Sequence, residues 1–210
     1  MKKHIRVIAI FMIVVALFTG CKSGSLDVRG TFTPLDSSAD ADSEFYYGGT
    51  YENEFFGFKC EFSEEWQIQN PKNHSDEIIA FTGHTKDLTL NINVLKTDKF
   101  DKLKDKSAKE MLTFLQEGLI ESGIETTDGE TYEIELEFLN EQHKAATVKT
   151  LPLVEDGRPG ATTVLYLKYE YYNVLIQFYT YNEKANDDVI KEFFKSTFHP
   201  LDEAVVSGGI

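Results

Sequence analysis

Residues 162–181 read TTVLYLKYEYYNVLIQFYTY, and how this stretch is read decides the fold. It is too polar at its middle for one element and too apolar at its ends for a loop. Two strands joined around Tyr171–Asn173 satisfy both halves. Each half is apolar or aromatic at odd and even positions alike. A strand of that kind is buried on both faces, so it belongs in the centre of a sheet covered on both sides.

The neighbouring stretches supply the rest of that sheet. Tyr132, Ile134, Leu136 and Phe138 alternate with Glu133, Glu135 and Glu137, giving a half-buried strand with an acidic outer face. Residues 143–151 return antiparallel after a turn near Asn140 and Glu141. Leu88, Leu90, Ile92 and Val94 alternate with Thr89, Asn91 and Asn93. A weaker strand is expected at Ile78–Thr82. In FFGFKCEFSEEW, 55–66, period-two alternation puts Phe56, Phe58, Cys60 and Phe62 on one face. It puts Phe55, Gly57, Lys59 and Glu61 on the other.

Two helices are expected. Ser107 and Glu110 form a capping box, followed by Met111, Leu112, Leu115 and Leu119 at helical spacing, with Gly123 as the stop. Asn186, Asp187 and Asp188 suit a second helix N-terminus. Val189, Ile190, Phe193, Phe194 and Phe198 make its apolar stripe, and Pro200 ends it. Successive strands lie too close for crossover helices. The fold class is therefore α+β, a mainly antiparallel β-sheet flanked by helices.

The first residues carry an address. MKKHIRVIAIFMIVVALFTG, 1–20, has a basic start and a twelve-residue apolar run from Val7 to Phe18. At ~1.5 Å per residue the run covers about 18 Å, against roughly 30 Å of hydrocarbon. It is too short to span and fits a signal-peptide core. Its end, Leu17-Phe18-Thr19-Gly20-Cys21, resembles a bacterial lipobox. Thr19 and Gly20 occupy the small positions, and Phe18 stands where leucine is usual. The resemblance implies cleavage after Gly20, lipidation of the Cys21 thiol, and a chain held extracytoplasmically on the cell membrane by its acyl chains.

Residues 21–50 then read as the lipidated cysteine and a flexible linker rich in Gly, Ser, Asp and Ala, about 30 Å in mean reach. Phe45, Tyr46 and Tyr47 are its aromatic exception. Residues 51–201 form the folded domain, and 202–210 a loose tail.

Composition narrows the partners. The 210-residue chain carries a formal net charge of -14, and loss of Lys2, Lys3 and Arg6 with the leader deepens it. Such a surface repels nucleic acid and anionic headgroups, so the membrane contact is assigned to the lipid on Cys21 and not to a basic patch. Cys60 is the other of two cysteines. It continues an apolar row beside Glu61 and Glu64, a setting for core packing and not for a reactive thiolate.

His74, Asp76, Glu77 and His84 are the candidate metal ligands, but their spacing lacks the close pairing of a zinc motif. They are read as surface residues. Asp98, Asp101 and Asp105 alternate with lysines and match no calcium loop. Asn73-His74-Ser75 fits a glycosylation sequon, which the bacterial lipobox discounts. Asp156-Gly157-Arg158-Pro159-Gly160 is turn chemistry. No nucleophile elbow, phosphate loop or dinucleotide fingerprint is present. No catalytic, cofactor-binding or metal residue is therefore assigned.

Tyrosine is in surplus. Of the ten in the chain, Tyr166, Tyr169, Tyr171, Tyr172, Tyr179 and Tyr181 fall between 166 and 181. Odd and even members point to opposite faces. One set is expected beneath a helix, and the other is open as an aromatic surface for a peptide or a glycan.

YENEFFGFKCEFSEEW, 51–66, resembles the opening of PsbP/Mog1-like domains found in many bacterial lipoproteins. The matching residues are Asn53, Phe55, Phe56, Gly57 and Trp66. Ser63-Glu64-Glu65 replaces the usual Pro-x-Gly before the tryptophan. The resemblance implies an antiparallel sheet sandwiched by helices. It implies an adaptor or stabiliser, as in photosystem accessory proteins and a Ran-binding protein, and transfers no functional residues. The expectation is a non-catalytic binding or accessory module for an envelope protein or a small ligand. The alternative is an accessory protein linked to a divalent metal through its acidic surface, and an enzyme ranks last.

Overall fold

The computed structural model describes residues 28–71, 79–97, 103, 105–121, 129–150 and 160–201. The elements are β1 (Thr31–Pro34), β2 (Phe45–Asn53), β3 (Phe58–Gln69), β4 (Ile79–His84), β5 (Leu88–Lys96), α1 (Ala108–Glu121), β6 (Thr131–Phe138), β7 (Glu141–Thr150), β8 (Gly160–Lys168), β9 (Tyr172–Tyr181), α2 (Asp187–Thr197) and β10 (Phe198–Pro200). The strands form one sheet in the order β1-β2-β3-β4-β5-β9-β8-β7-β6, with β10 added beside β3. Every pairing is antiparallel. This is the expected α+β class.

The two strands of 162–181 are central. β9 pairs with β5 along Leu88–Lys96 and with β8 along Gly160–Lys168. Their alternating side chains feed two separate cores. Leu165, Leu167, Val174, Ile176 and Phe178 join the larger one, with Ile190 and Phe194 of α2. Val164, Tyr166 and Leu175 join the smaller one, with Met111 and Leu112 of α1. One helix thus covers each face, and each fully buried Leu, Ile or Phe contributes roughly 1.5–3 kcal/mol of apolar transfer.

The helix ends form as the sequence demands. Ser107 N–H donates to Glu110 Oε2 at 2.7 Å, and Glu110 N–H returns to Ser107 Oγ at 3.3 Å. These bonds hold the Glu110 carboxyl below its ordinary value. Val189 N–H donates to Asn186 Oδ1 at 3.0 Å. α2 then closes earlier than expected. It ends at Thr197, and Phe198 enters β10 opposite Cys60 instead of finishing the helical stripe.

Several boundaries differ from the sequence reading. The stretch read as linker contains β1 and most of β2, so the folded part reaches back to Val28. The strand read from Phe55 starts at Phe58, because 54–57 is the β2–β3 turn, in which Gly57 takes φ 72°. Phe56 is still buried, but as a turn residue. The weak strand is Ile79–His84, and the β8–β9 joint is 169–171. Two crossovers do exist among the described strands. β5 and β6 are four antiparallel pairings apart and hence parallel, and their connection carries α1 across the sheet. β9 and β10 are likewise four antiparallel pairings apart, with α2 between them.

The sheet branches at β3, and ring contacts there close it onto the end of β6. One edge of β3 pairs with β2. The other takes β10 at Phe58–Cys60 and β4 at only Gln67 and Ile68. The Ser63–Trp66 stretch, where Ser63-Glu64-Glu65 stands in place of Pro-x-Gly, is a bulge inside β3. It faces Gly48 alone, between the pairs Tyr47↔Gln67 and Gly49↔Phe62. Gly48 has φ 65°, and a Cβ there would stand 2.8 Å from the Ser63 carbonyl. The bulge bends the strand, and Trp66 swings under α2 to stack on Phe193 at 5.7 Å. Phe58 then meets Phe138 at the end of β6 at 5.9 Å and Phe198 of β10 at 5.8 Å.

Candidate functional site

The chain turns at the ends of β2, β6 and β8 gather at one end of the molecule. The β2–β3 turn is set by Asn53, which is fully buried. Its Oδ1 accepts from Phe56 N–H at 3.1 Å, and its Nδ2 donates to Val28 O at 2.9 Å. Gly57 N–H closes the turn on Asn53 O at 2.9 Å. The β8–β9 turn is closed by Tyr169 N–H on Tyr172 O at 2.9 Å, and Thr97 at the end of β5 donates its N–H to Tyr171 O at 3.0 Å.

These turns bring together two sequence features that lie more than a hundred residues apart. Phe55 packs edge-on to Tyr172 at 5.4 Å, and Phe56 lies 4.8 Å from the Tyr169 ring. Phe55 and Phe56 are themselves edge-on at 4.9 Å. Phe56 is the buried foot of this cluster. Its outer members stay in water: Phe55 is 42% exposed, Tyr169 38% and Tyr171 64%. Phe55 and Tyr169 are thus linked through the Phe56 ring, and Tyr171 shares the turn of Tyr169, so the exposed aromatics are grouped and not scattered.

The remaining tyrosines do not divide by odd and even number, because the β8–β9 turn inverts the parity and puts Tyr166 of β8 on the same face as Tyr179 and Tyr181 of β9. Tyr166 lies under α1 and donates to Leu103 O at 3.1 Å, and burial pushes its phenol up to about 12. Burial also raises Tyr179 and Tyr181. Tyr132, raised first by burial and then by its hydrogen bond, donates to Asp187 Oδ1 at 2.7 Å and ties β6 to the start of α2.

The other candidates do not converge. Cys60 is completely buried between β2 and β10, and burial pushes its thiol well above the ordinary value. It is a packing residue. With Cys21 replaced by serine, a thiol reagent should leave native protein unlabelled and modify Cys60 only as urea unfolds the chain. Stoichiometric labelling in native buffer would contradict this.

His84 ends β4, half-buried, with its ring edge-on to Phe45 at 6.5 Å. His74, Asp76, Glu77 and the lipidation residue Cys21 lie outside the described residues. Among the described residues no three His, Cys, Asp or Glu side chains are placed to hold a metal. An open groove of about 460 Å³ between β6 and α2 is lined by both acids and lysines, with Lys195 Nζ 3.6 Å from Glu137. Among the described residues no helix is long and apolar enough to cross a membrane.

The site is thus an aromatic tip, on hydrogen-bonded turns, of an antiparallel sheet with a helix on each face. No protein-family model matches the chain, and no curated protein does. Among solved structures it is similar to the solution structure of cyanobacterial PsbP (CyanoP) from Synechocystis sp. PCC 6803. The TM-score is 0.45 and the identity 17%, over 80% of this chain and 99% of that one.

Proposed function

We propose that this chain is a lipid-anchored extracytoplasmic module of the PsbP/Mog1-like kind, which binds a partner and performs no chemistry on it. The observation that carries the binding role is the exposed group of Phe55, Tyr169 and Tyr171 on two neighbouring turns, β2–β3 and β8–β9. Aromatic side chains offer large contact area at low cost in rotamer entropy, and they are enriched in the centres of interfaces. The turns are pinned by backbone hydrogen bonds, so little order remains to be gained on docking. The family reading rests on Asn53, Phe55, Phe56, Gly57 and Trp66, and the anchor on residues 1–21.

Two measurements test the halves separately. In cells given an alkyne fatty acid, the full chain should take up label and sediment with membranes. Cys21→Ala should do neither, and equal labelling of the two would refute the anchor. A photoreactive benzoyl-phenylalanine at 171 should give one discrete cross-linked adduct. The same group at Leu35, 63% exposed on the β1–β2 connection, should give none. No adduct at 171, or the same adduct at both positions, would refute the docking role.

A further inference from the structure

The chemistry of the occupant can be read from the charges around the rings, and this deepens the docking role just proposed. Glu54 adjoins Phe55 in the β2–β3 turn, and Glu170 sits between Tyr169 and Tyr171; both are exposed. Glu170 also accepts the Tyr171 hydroxyl, which raises that phenol. Glu141, exposed at the start of β7 and 3.8 Å from His143 Nε2, is close enough to act on Tyr169, whose phenol burial raises first.

Cations are fewer here. Lys96 lies opposite Tyr172 in the β5–β9 register. Lys168 belongs to the other face of the sheet, where it acts on Glu110 at the start of α1. Aromatic faces ringed by carboxylates attract a cation twice over, through the ring quadrupole and through charge. We infer that the tip receives an arginine-bearing segment of a protein partner, with the guanidinium lying on the exposed rings between Glu54 and Glu170. Arginine suits the place better than lysine, because its planar, weakly hydrated head stacks on rings while its edge pairs with carboxylates. The net charge of -14 steers such a partner in and turns away anionic surfaces.

The test uses the full chain in neutral detergent micelles, labelled with fluorotyrosine and followed by fluorine NMR. The probe is a capped glycine–arginine repeat peptide, with its lysine and glutamate counterparts. The arginine peptide should shift the Tyr169, Tyr171 and Tyr172 signals saturably and leave Tyr179 and Tyr181 in place. The lysine peptide should bind about threefold or more weakly, and the glutamate peptide should not bind. Glu54→Gln with Glu170→Gln should weaken the arginine peptide about threefold or more, and Phe55→Ala about fivefold.

Equal responses to arginine and glutamate peptides would overturn the inference. So would a stronger response to phosphatidylcholine vesicles, or concentration-dependent shifts with no peptide present. If benzoyl-phenylalanine at 171 captures a partner while the arginine peptide leaves the tip unmoved, the cationic occupant is wrong and the docking role stands.

Discussion

Phe58→Ala is expected to cost about 3–5 kcal/mol, the range for a fully buried phenylalanine that leaves a cavity. Phe58 has no exposed surface, and its ring meets Tyr51 of β2, Phe138 of β6 and Phe198 of β10. Three segments distant in sequence therefore lose a shared neighbour at once. The β3–β4 joint has only two residue pairs, so the β1–β3 arm is held mainly by side-chain packing, that of Phe58 together with Tyr51 and Phe62 on Phe81. A chain of this size holds about 5–15 kcal/mol in total, and the variant should remain folded but marginal. Urea unfolding followed by Trp66 fluorescence measures it, because Trp66 lies in the same closure. Phe55→Ala is the internal comparison. Phe55 is half in water, and its loss should move the midpoint far less. Equal midpoints for the two variants would mean that the arm is not closed through Phe58.

The same closure explains which parts of the fold the sequence could show. β6–β9 and the starts of both helices are legible because local rules dictate them: alternation, a capping box and an N-cap asparagine. The hairpin between β6 and β7 is legible to within two residues. Its two-residue turn, Leu139 and Asn140, has positive φ at both positions, as such turns require.

Residues 28–50 were illegible because their order comes from outside their own composition. The Asp, Ser and Ala loop before β2 is held by Asn70, whose Nδ2 donates to Ala41 O at 3.1 Å and Ser43 O at 2.8 Å. β1 is held by backbone pairing with β2 from Thr31 to Pro34. Neither leaves a periodic mark on the segment itself. β10 was hidden for a related reason. Phe198 fits a helical stripe equally well, and only its pairing with Cys60 makes it a strand.

The aromatic tip was half legible. The surplus of tyrosines at 166–181 and the pair Phe55–Phe56 both stand out in the sequence. Their junction does not, because it depends on the sheet order β3-β4-β5-β9-β8 and on the curl that brings the β2–β3 turn back over β9. Asn53 shows the same limit. As one letter of a family-like opening it has no visible task. In the structure its side chain joins Val28, just ahead of β1, to the turn that holds the tip.

Asn53→Ala should therefore be the most damaging polar substitution among the described residues, at about 2–6 kcal/mol. The substitution leaves Val28 O and Phe56 N–H without their partners in a buried setting, and each orphaned group costs about 1–3 kcal/mol. Tyr51 OH loses the Asn53 Nδ2 donor at 3.0 Å while keeping Arg29 O as its acceptor. The loss should also be local. Amide exchange should quicken first across 54–57 and at β1, and peptide binding at the tip should weaken with it, while α1 stays protected. Asn53→Asp separates the two functions of the amide. It keeps an acceptor for Phe56 N–H but loses the donor to Val28 O and buries a carboxylate. That carboxylate should titrate above the free aspartate value of about 3.9. The aspartate variant should therefore be no better than alanine at neutral pH. It should gain on alanine as acidification protonates the buried carboxyl and gives it a hydroxyl that donates to Val28 O. Paired urea midpoints for the two variants between neutral pH and about pH 4 decide it: a difference that does not change with pH would show that the donor half of Asn53 is dispensable.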